Sequence, residues 1–382
     1  MSDFIFKISP NIVLGPYTIT RIGQYVQEIG SKFMIVIDPM LKEIGLSDKI
    51  FQPLDEHKVN YFIFDEISDG AHTKTIEQAL TLAREAHIHG IIAVGGSKTI
   101  NVAKAIASTF YEVHNFYDFV DGASPTVAPL PLICVPTTIR DPFIFSSYTP
   151  IIDSRSNKNR LLKNKDGLVK LVLYDPNLSL TLSENQTASM ALETLCLSTE
   201  SYISQKATFF SDMIVEKGTE LLGYALDGSP SLTITTPSEV LLTQGGCMAS
   251  LASAMSAPGV ATLLAQTINA RFRISRALVA TILFPYVIED AAKFKADKIA
   301  RISKILRAAP ENASQDEAVA SLSEYLRQKI AKNNLPARLK DLSITIDQLA
   351  LCAEDGGELD LINTLPRSMT SDDLFDLLKL AF

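Results

Sequence analysis

One stretch constrains this chain more than any other: Gly90 to Ser108, reading GIIAVGGSKTINVAKAIAS. Ile91 to Val94 form a short, wholly apolar run, which suits a strand buried on both faces of a parallel sheet. Gly95 and Gly96 end it. From Lys98 the apolar residues Ile100, Ala103, Ala105 and Ile106 take helical spacing. The order is strand, glycine turn, helix, with Ser97 as the expected N-cap, since a serine hydroxyl accepts from a first-turn N–H. Glycines let a backbone approach a ligand closely, and a helix N-terminus turns N–H groups and a partial positive charge toward it. The stretch therefore reads as a phosphate cradle. A plain structural turn has the same order of elements, and the motif by itself does not separate the two.

The neighbouring segments supply the context. Lys32–Ile37 (KFMIVI) reads as a buried strand ending at Asp38-Pro39, Tyr61–Phe64 as another, and Leu130–Val135 as a third ending in Pro136-Thr137-Thr138. A short strand and turn, NIVLG, opens the series at residues 11–15, with helical patterns over Ile19–Ile29 and Lys74–Ala86. Strands alternating with helices imply a parallel α/β sheet, whose ligands bind beyond the C-terminal strand ends. Asp38, Gly95, Gly96, Ser97, Lys98, Thr137 and Thr138 all fall at such ends. An acidic residue after the second strand is where a dinucleotide fold holds ribose hydroxyls, and it is equally the kind of residue that opens a turn before proline.

Tyr148–Ile152 and Leu168–Tyr174 read as extended, with the polar run between them as an exposed hairpin loop. Past Asp175-Pro176 the strand signals fade into alanine- and leucine-rich helical patterns: 184–205, 209–224, 238–256, 277–290, 296–307 and 314–332, with Leu335–Leu342 and Ser371–Leu380 completing the set. Ser314 with Glu317 reads as a capping box, and Ser371 as a cap. The expected organisation is an α/β dinucleotide-binding domain over residues 1–180 and an all-α domain over 181–382. A chain of 382 residues is long enough for two such cores.

Composition narrows the function classes. The net charge of −8 disfavours nonspecific nucleic-acid binding. No apolar run reaches the roughly 20 residues that span a bilayer, and MSDFIFKISPN lacks a secretory pattern, so no membrane role is expected. Four scattered cysteines without metal spacing read as reduced thiols of a cytoplasmic protein. The five histidines are His57, His72, His87, His89 and His114, and none follows residue 114.

Taken together, these motifs resemble the iron-containing alcohol dehydrogenases, a superfamily that includes glycerol dehydrogenase and dehydroquinate synthase. Gly95-Gly96-Ser97-Lys98-Thr99-Ile100-Asn101 is similar to the pyrophosphate motif in its glycerol dehydrogenase form. Val135-Pro136-Thr137-Thr138 is similar to the segment that lies along the cofactor. Val172–Pro176, Thr187-Ala188-Ser189, Leu283–Val287 and Leu335–Leu339 resemble further landmarks, so the likeness covers nearly the whole chain. It implies a dehydroquinate synthase-like fold with an active cleft between two domains. It also implies NAD as cofactor with Asp38 on the adenosine ribose, where a carboxylate repels a 2′-phosphate and disfavours NADP.

The family's divalent metal is held by an aspartate and histidines on facing helices. Alignment from the landmarks puts those positions at Glu193, Leu197, Thr262, Gln266 and Arg276, and the helical half has no histidine. Asn101 stands where the glycine motif usually has aspartate, and Arg140 and Pro142 replace small residues. The expectation is a metal-independent, NAD-linked dehydrogenase or reductase acting on a small polar or anionic substrate, with a homo-oligomer as one possible assembly. Arg276, Glu193, Gln266 and Arg140 would form its catalytic group, because a guanidinium can stabilise a developing alkoxide and pairs with carboxylates or phosphates. A Glu193–Arg276 salt bridge, with Gln266 and Thr262 beside it, is expected to fill the metal position. The alternatives are a catalytically inactive nucleotide-binding protein on the same scaffold and, more distantly, a cyclising lyase.

Overall fold

A computed structural model describes residues 10–67, 70–179, 182–228 and 236–382. The chain forms two compact units. Among the described residues, one comprises 10–67, 70–138, 144–154 and 161–178; the other comprises 139–143, 155–160, 179, 182–228 and 236–382. The boundary expected near residue 180 falls on residues outside the described set.

The first unit carries six parallel strands, β1 (Asn11–Leu14), β2 (Lys32–Ile37), β3 (Asn60–Phe64), β4 (Gly90–Gly95), β5 (Leu132–Pro136) and β8 (Val169–Tyr174), in the order β1-β8-β5-β4-β2-β3. Its helices are α1 (Ile22–Gln27), α2 (Pro39–Glu43), α3 (Asp48–Glu56), α4 (Thr73–Glu85), α5 (Ser97–Thr109) and α6 (Phe116–Val120). Strands β4 and β5 are buried at every residue, as a sheet covered on both faces requires. Alternate residues of the central strands (Phe33, Ile35, Ile37; Ile92, Val94; Ile133, Val135) join Ile22, Val26, Ile50 and Leu54 in one core cluster, the period-2 signature of a pleated face. The chain passes from β2 out to β3 and then returns to β4 on the other side of β2. The connections therefore reverse direction between β2 and β4, which is where open α/β sheets bind ligands.

The polar run expected as a loop supplies a strand. β6 (Tyr148–Asp153) and β7 (Lys158–Lys163) pair as a separate hairpin. Charged residues do not prevent pairing, and Lys158 is held by Asp355 at 3.1 Å and Glu358 at 2.8 Å.

The second unit is helical: α7 (Glu184–Ile203), α8 (Phe209–Asp227), α9 (Ser238–Met255), α10 (Val260–Phe272), α11 (Arg276–Ile305), α12 (Gln315–Lys332), α13 (Ile346–Gly357) and α14 (Ser371–Leu380). Ser314 and Glu317 form the expected capping box on α12. At α14 the cap is Thr370 and not Ser371, because the Thr370 hydroxyl accepts from Asp373 N. The patterns at 277–290 and 296–307 merge into α11, broken only at Lys295. Helix α10 had no clear periodic signal, since it is buried nearly all round.

Candidate active site

The cradle is built where β2, β4 and β5 end. Asp38 N donates to Val94 O at 3.0 Å, and Thr137 N donates to Gly95 O at 3.1 Å, so the three strand ends are stitched together. Gly95 has φ +153°, and a methyl there would meet Thr99 Oγ1 at 2.8 Å and Asp38 Cβ at 3.2 Å. A methyl on Gly96 would meet Thr138 Cγ2 at 3.1 Å. Gly95 is therefore favoured by its backbone angle and by close approach, and Gly96, with an ordinary extended backbone, by close approach alone. Gly96 is the N-cap of α5 and makes no side-chain cap, which corrects the expected role of Ser97. Ser97 lies inside the first turn, only 3% exposed. The hydroxyls of Ser97 and Thr99 and the Asn101 carbonyl oxygen are buried without a hydrogen-bond partner among the described residues. Buried polar atoms are nearly always paired, so this cluster of orphans at a helix N-terminus is an exception in the fold. Lys98 Nζ sits 3.3 Å from Asp38 Oδ2.

The second group lies within the helical unit. Segment 139–143 docks on one face of α9, where Gly246, Ser250 and Ser253 recur at helical spacing. Ser250 Oγ accepts from Asp141 N at 3.0 Å, and Ser253 Oγ donates to Pro142 O at 3.2 Å. A methyl at Gly246 would collide with the Ile139 carbonyl. Gly246→Ala should thus push the segment off α9 and destabilise the protein by about 1–3 kcal/mol, the usual cost of overpacking. Urea unfolding measures this, and a midpoint equal to wild type would show that the segment yields freely.

Docked in this way, Arg140 reaches α7 and its Nη2 donates to Glu193 Oε2; the two side chains are 5% and 8% exposed. Arg276, at the start of α11 and partly buried, donates from Nη1 to Gln266 Oε1 at 3.4 Å. Among the described residues it forms no ion pair. The expected Glu193–Arg276 bridge is therefore not present: Arg140 takes the carboxylate, and Arg276 turns to the neutral Gln266. Helix alignment placed Glu193 and Arg276 near one point but could not see a third chain segment delivering a guanidinium between them. Thr262 is also committed elsewhere. Its hydroxyl donates to Glu200 Oε2 at 2.6 Å, within a buried carboxylate cap that also accepts from Gly259 N and Ala261 N at the α10 N-terminus.

Burial above all, and then the Arg276 charge, lower the Arg140 guanidinium to about 9 against the opposing pull of Asp141. Arg276 is lowered by burial and likewise raised by Asp141. Asp141, adjacent to Arg140 in sequence and 1% exposed, was not anticipated as part of the group. Glu200 was also missed, although its seven-residue spacing from Glu193 puts it on the same face of α7. Arg271 is structural, paired with Asp355 through two nitrogens, and Arg273 is exposed. No group of three or more His, Cys, Asp or Glu side chains is placed to hold a metal ion among the described residues.

Two family models cover the chain: "Iron-containing alcohol dehydrogenase" over residues 9–176 and "Fe-containing alcohol dehydrogenase family, C-terminal" over residues 187–382. The chain belongs to the iron-containing alcohol dehydrogenase family. Among relatives of this family member, the "Probable alcohol dehydrogenase EutG" of Escherichia coli (strain K12) is 22% identical over 373 residues, covering 97% of this chain and 93% of its own. The lactaldehyde reductase of the same organism is 21% identical over 357 residues, covering 92% of each. A solved structure of 1,3-propanediol oxidoreductase matches with a TM-score of 0.91 at 19% identity, over 99% of this chain and 100% of that one. At that identity the likeness speaks for the fold, which is the expected dehydroquinate synthase-like one. No single helix among the described residues is long and apolar enough to cross a membrane.

Proposed function

We propose that this protein is a nicotinamide dinucleotide-linked alcohol dehydrogenase or carbonyl reductase that works without a divalent metal, in the cytoplasm, on a small polar or anionic substrate. Family membership, with relatives that bear the names of alcohol and lactaldehyde enzymes, supports the oxidoreductase class. Four buried cysteine thiols fit a reducing compartment.

The cradle fits a dinucleotide. Gly95 and Gly96 would hold the pyrophosphate against the α5 N-terminus, with the orphaned Ser97 hydroxyl and Lys98 toward it, Thr137 and Thr138 along the cofactor, and Asp38 at the adenosine ribose. When bound, the nicotinamide supplies the hydride.

The family's metal positions do not fit a metal. Leu197 offers no donor atom, Arg276 is a cation, and the carboxylate of Glu193 is occupied by Arg140. Iron and zinc sites take three or more nitrogen, sulfur or oxygen ligands. The observation that carries the reading is this substitution of a guanidinium for a cation: the positive charge survives at the site, fixed by protein. Arg276, which among the described residues donates to neutral Gln266 and forms no ion pair, keeps donors available for a carbonyl oxygen as it gains negative charge, or for a substrate anion. Arg140, Glu193 and Asp141 hold the field around it.

The decisive experiment assays NADH oxidation with short-chain hydroxy- and oxo-aldehydes, before and after exhaustive chelation, alongside elemental analysis of the purified protein. Turnover that survives chelation, with less than a stoichiometric equivalent of iron, zinc or manganese, is expected. A full equivalent whose removal abolishes activity would overturn metal independence. The absence of histidine past residue 114 also favours a second reading, an inactive dinucleotide-binding protein; binding of NADH without turnover of any carbonyl would select it.

A further inference from the structure

We infer that Asp141 is the proton acceptor of the reaction, taking the hydroxyl proton of an alcohol substrate while Arg276 holds the oxygen. The inference rests on the oxidoreductase reading and supplies the group which that reading leaves unassigned. Guanidinium donors can meet a growing negative charge, but they have no lone pair to take up a proton. The neutral amide of Gln266 accepts from Arg276, and the Glu193 carboxylate accepts from Arg140 Nη2. The carboxylate left in the group is Asp141.

Asp141 is fixed at two points. Its main-chain N–H donates to Ser250 Oγ at 3.0 Å, and its Oδ1 accepts from Phe143 N at 2.9 Å. Its other oxygen, Oδ2, is buried without a hydrogen-bond partner among the described residues, and the residue is 1% exposed. A carboxylate oxygen removed from water and given no donor is costly, so this atom calls for a partner that binding would bring. The carboxylate also lies within electrostatic reach of both guanidinia: burial lowers Arg140 and Arg276, and the Asp141 charge opposes this at each. A rigid acceptor and a cationic donor in one group match an alcohol hydroxyl, whose oxygen accepts while its hydrogen donates. In oxidation the O–H bond breaks and the proton passes to Asp141 Oδ2. The bonding pair becomes the second bond of the carbonyl as the carbinol hydrogen leaves as hydride for the oxidised nicotinamide. In reduction the carboxylic acid returns the same proton to the oxygen. Arg276 stabilises the partial negative charge in either direction.

Asp141→Asn tests this, because an amide oxygen can keep the Phe143 N–H while the carboxylate is lost. Propane-1,2-diol with NAD serves as the alcohol. The same diol is titrated calorimetrically into intact protein loaded with NADH, where no turnover follows. The variant should keep a urea midpoint near that of wild type and bind NADH equally well. Its kcat/KM for the diol should fall by about a hundredfold, the lower end of what general base catalysis contributes. Diol affinity in the NADH complex should fall by about tenfold, the size of one charge-assisted hydrogen bond. Asp141→Ser, whose hydroxyl can also accept from Phe143 N, should show the same pattern. A folded variant with wild-type activity would overturn the inference. So would activity that falls only in step with stability, since Asp141 would then be a structural charge. Wild-type protein that turns over no short-chain alcohol or aldehyde would bring down the oxidoreductase reading itself, a failure distinct from the other two.

Discussion

Arg140→Ala should destabilise the protein by about 3–5 kcal/mol, because it leaves the Glu193 carboxylate buried without its partner. The arginine contributes in two ways. It offsets the desolvation of Glu193 on α7, and it anchors segment 139–143, which α9 otherwise holds through Gly246, Ser250 and Ser253. Replacing both members of the pair by apolar residues of similar size, Arg140→Leu with Glu193→Met, should restore most of the lost stability, since no unpaired charge then remains in the interior. Urea unfolding of the two variants separates the contributions, with unchanged slope and shifted midpoint as the signature of a pure stability effect. A loss below about 1 kcal/mol in the single variant would mean that Glu193 finds another partner or water.

The largest expected effect on activity is at Arg276. Its guanidinium donates to the neutral Gln266 and forms no ion pair among the described residues, so truncation strands no salt-bridge partner and the fold should tolerate it. In the proposed reaction the same change removes the donor that meets the developing negative charge. Arg276→Ala should lower kcat/KM by about 10²–10³, the scale observed when one oxyanion donor is removed. The division of that loss is informative. A fall in kcat at constant KM places the donor on the reacting oxygen, whereas a rise in KM at constant kcat places it on a substrate anion. Arg276→Lys keeps the charge but loses the planar fork, and should recover only part of the activity. A variant as active as wild type would remove Arg276 from the site.

The local elements were legible because they rest on periodicity and short motifs. The apolar runs at Lys32–Ile37 and Gly90–Gly95 are strands since both faces are covered, and Ser314 with Glu317 caps α12 through contacts three residues apart. The strand-end motifs at Asp38, Gly95 and Thr137 lie together for a topological reason, because parallel strands all present the same end. Even here the cap assignments each moved by one residue: Gly96 opens α5 by its extended backbone with no side-chain cap, and at α14 the Thr370 hydroxyl takes the Asp373 N–H.

What the amino-acid sequence determined by itself is thus the two-part architecture, the glycine cradle, and the lack of histidine ligands in the helical half. Only tertiary structure decided which charges meet. Arg140 reaches Glu193 across 53 residues because Gly246 leaves room for the Ile139 backbone, a steric fact with no periodic trace. Lys98 meets Asp38 because β2 and β4 are neighbours in the sheet, although β3 and α4 separate them in the chain. Ion pairs depend on distances of a few ångströms between residues far apart in sequence. Spacing along one chain fixes faces and turns, and it carries no such distances.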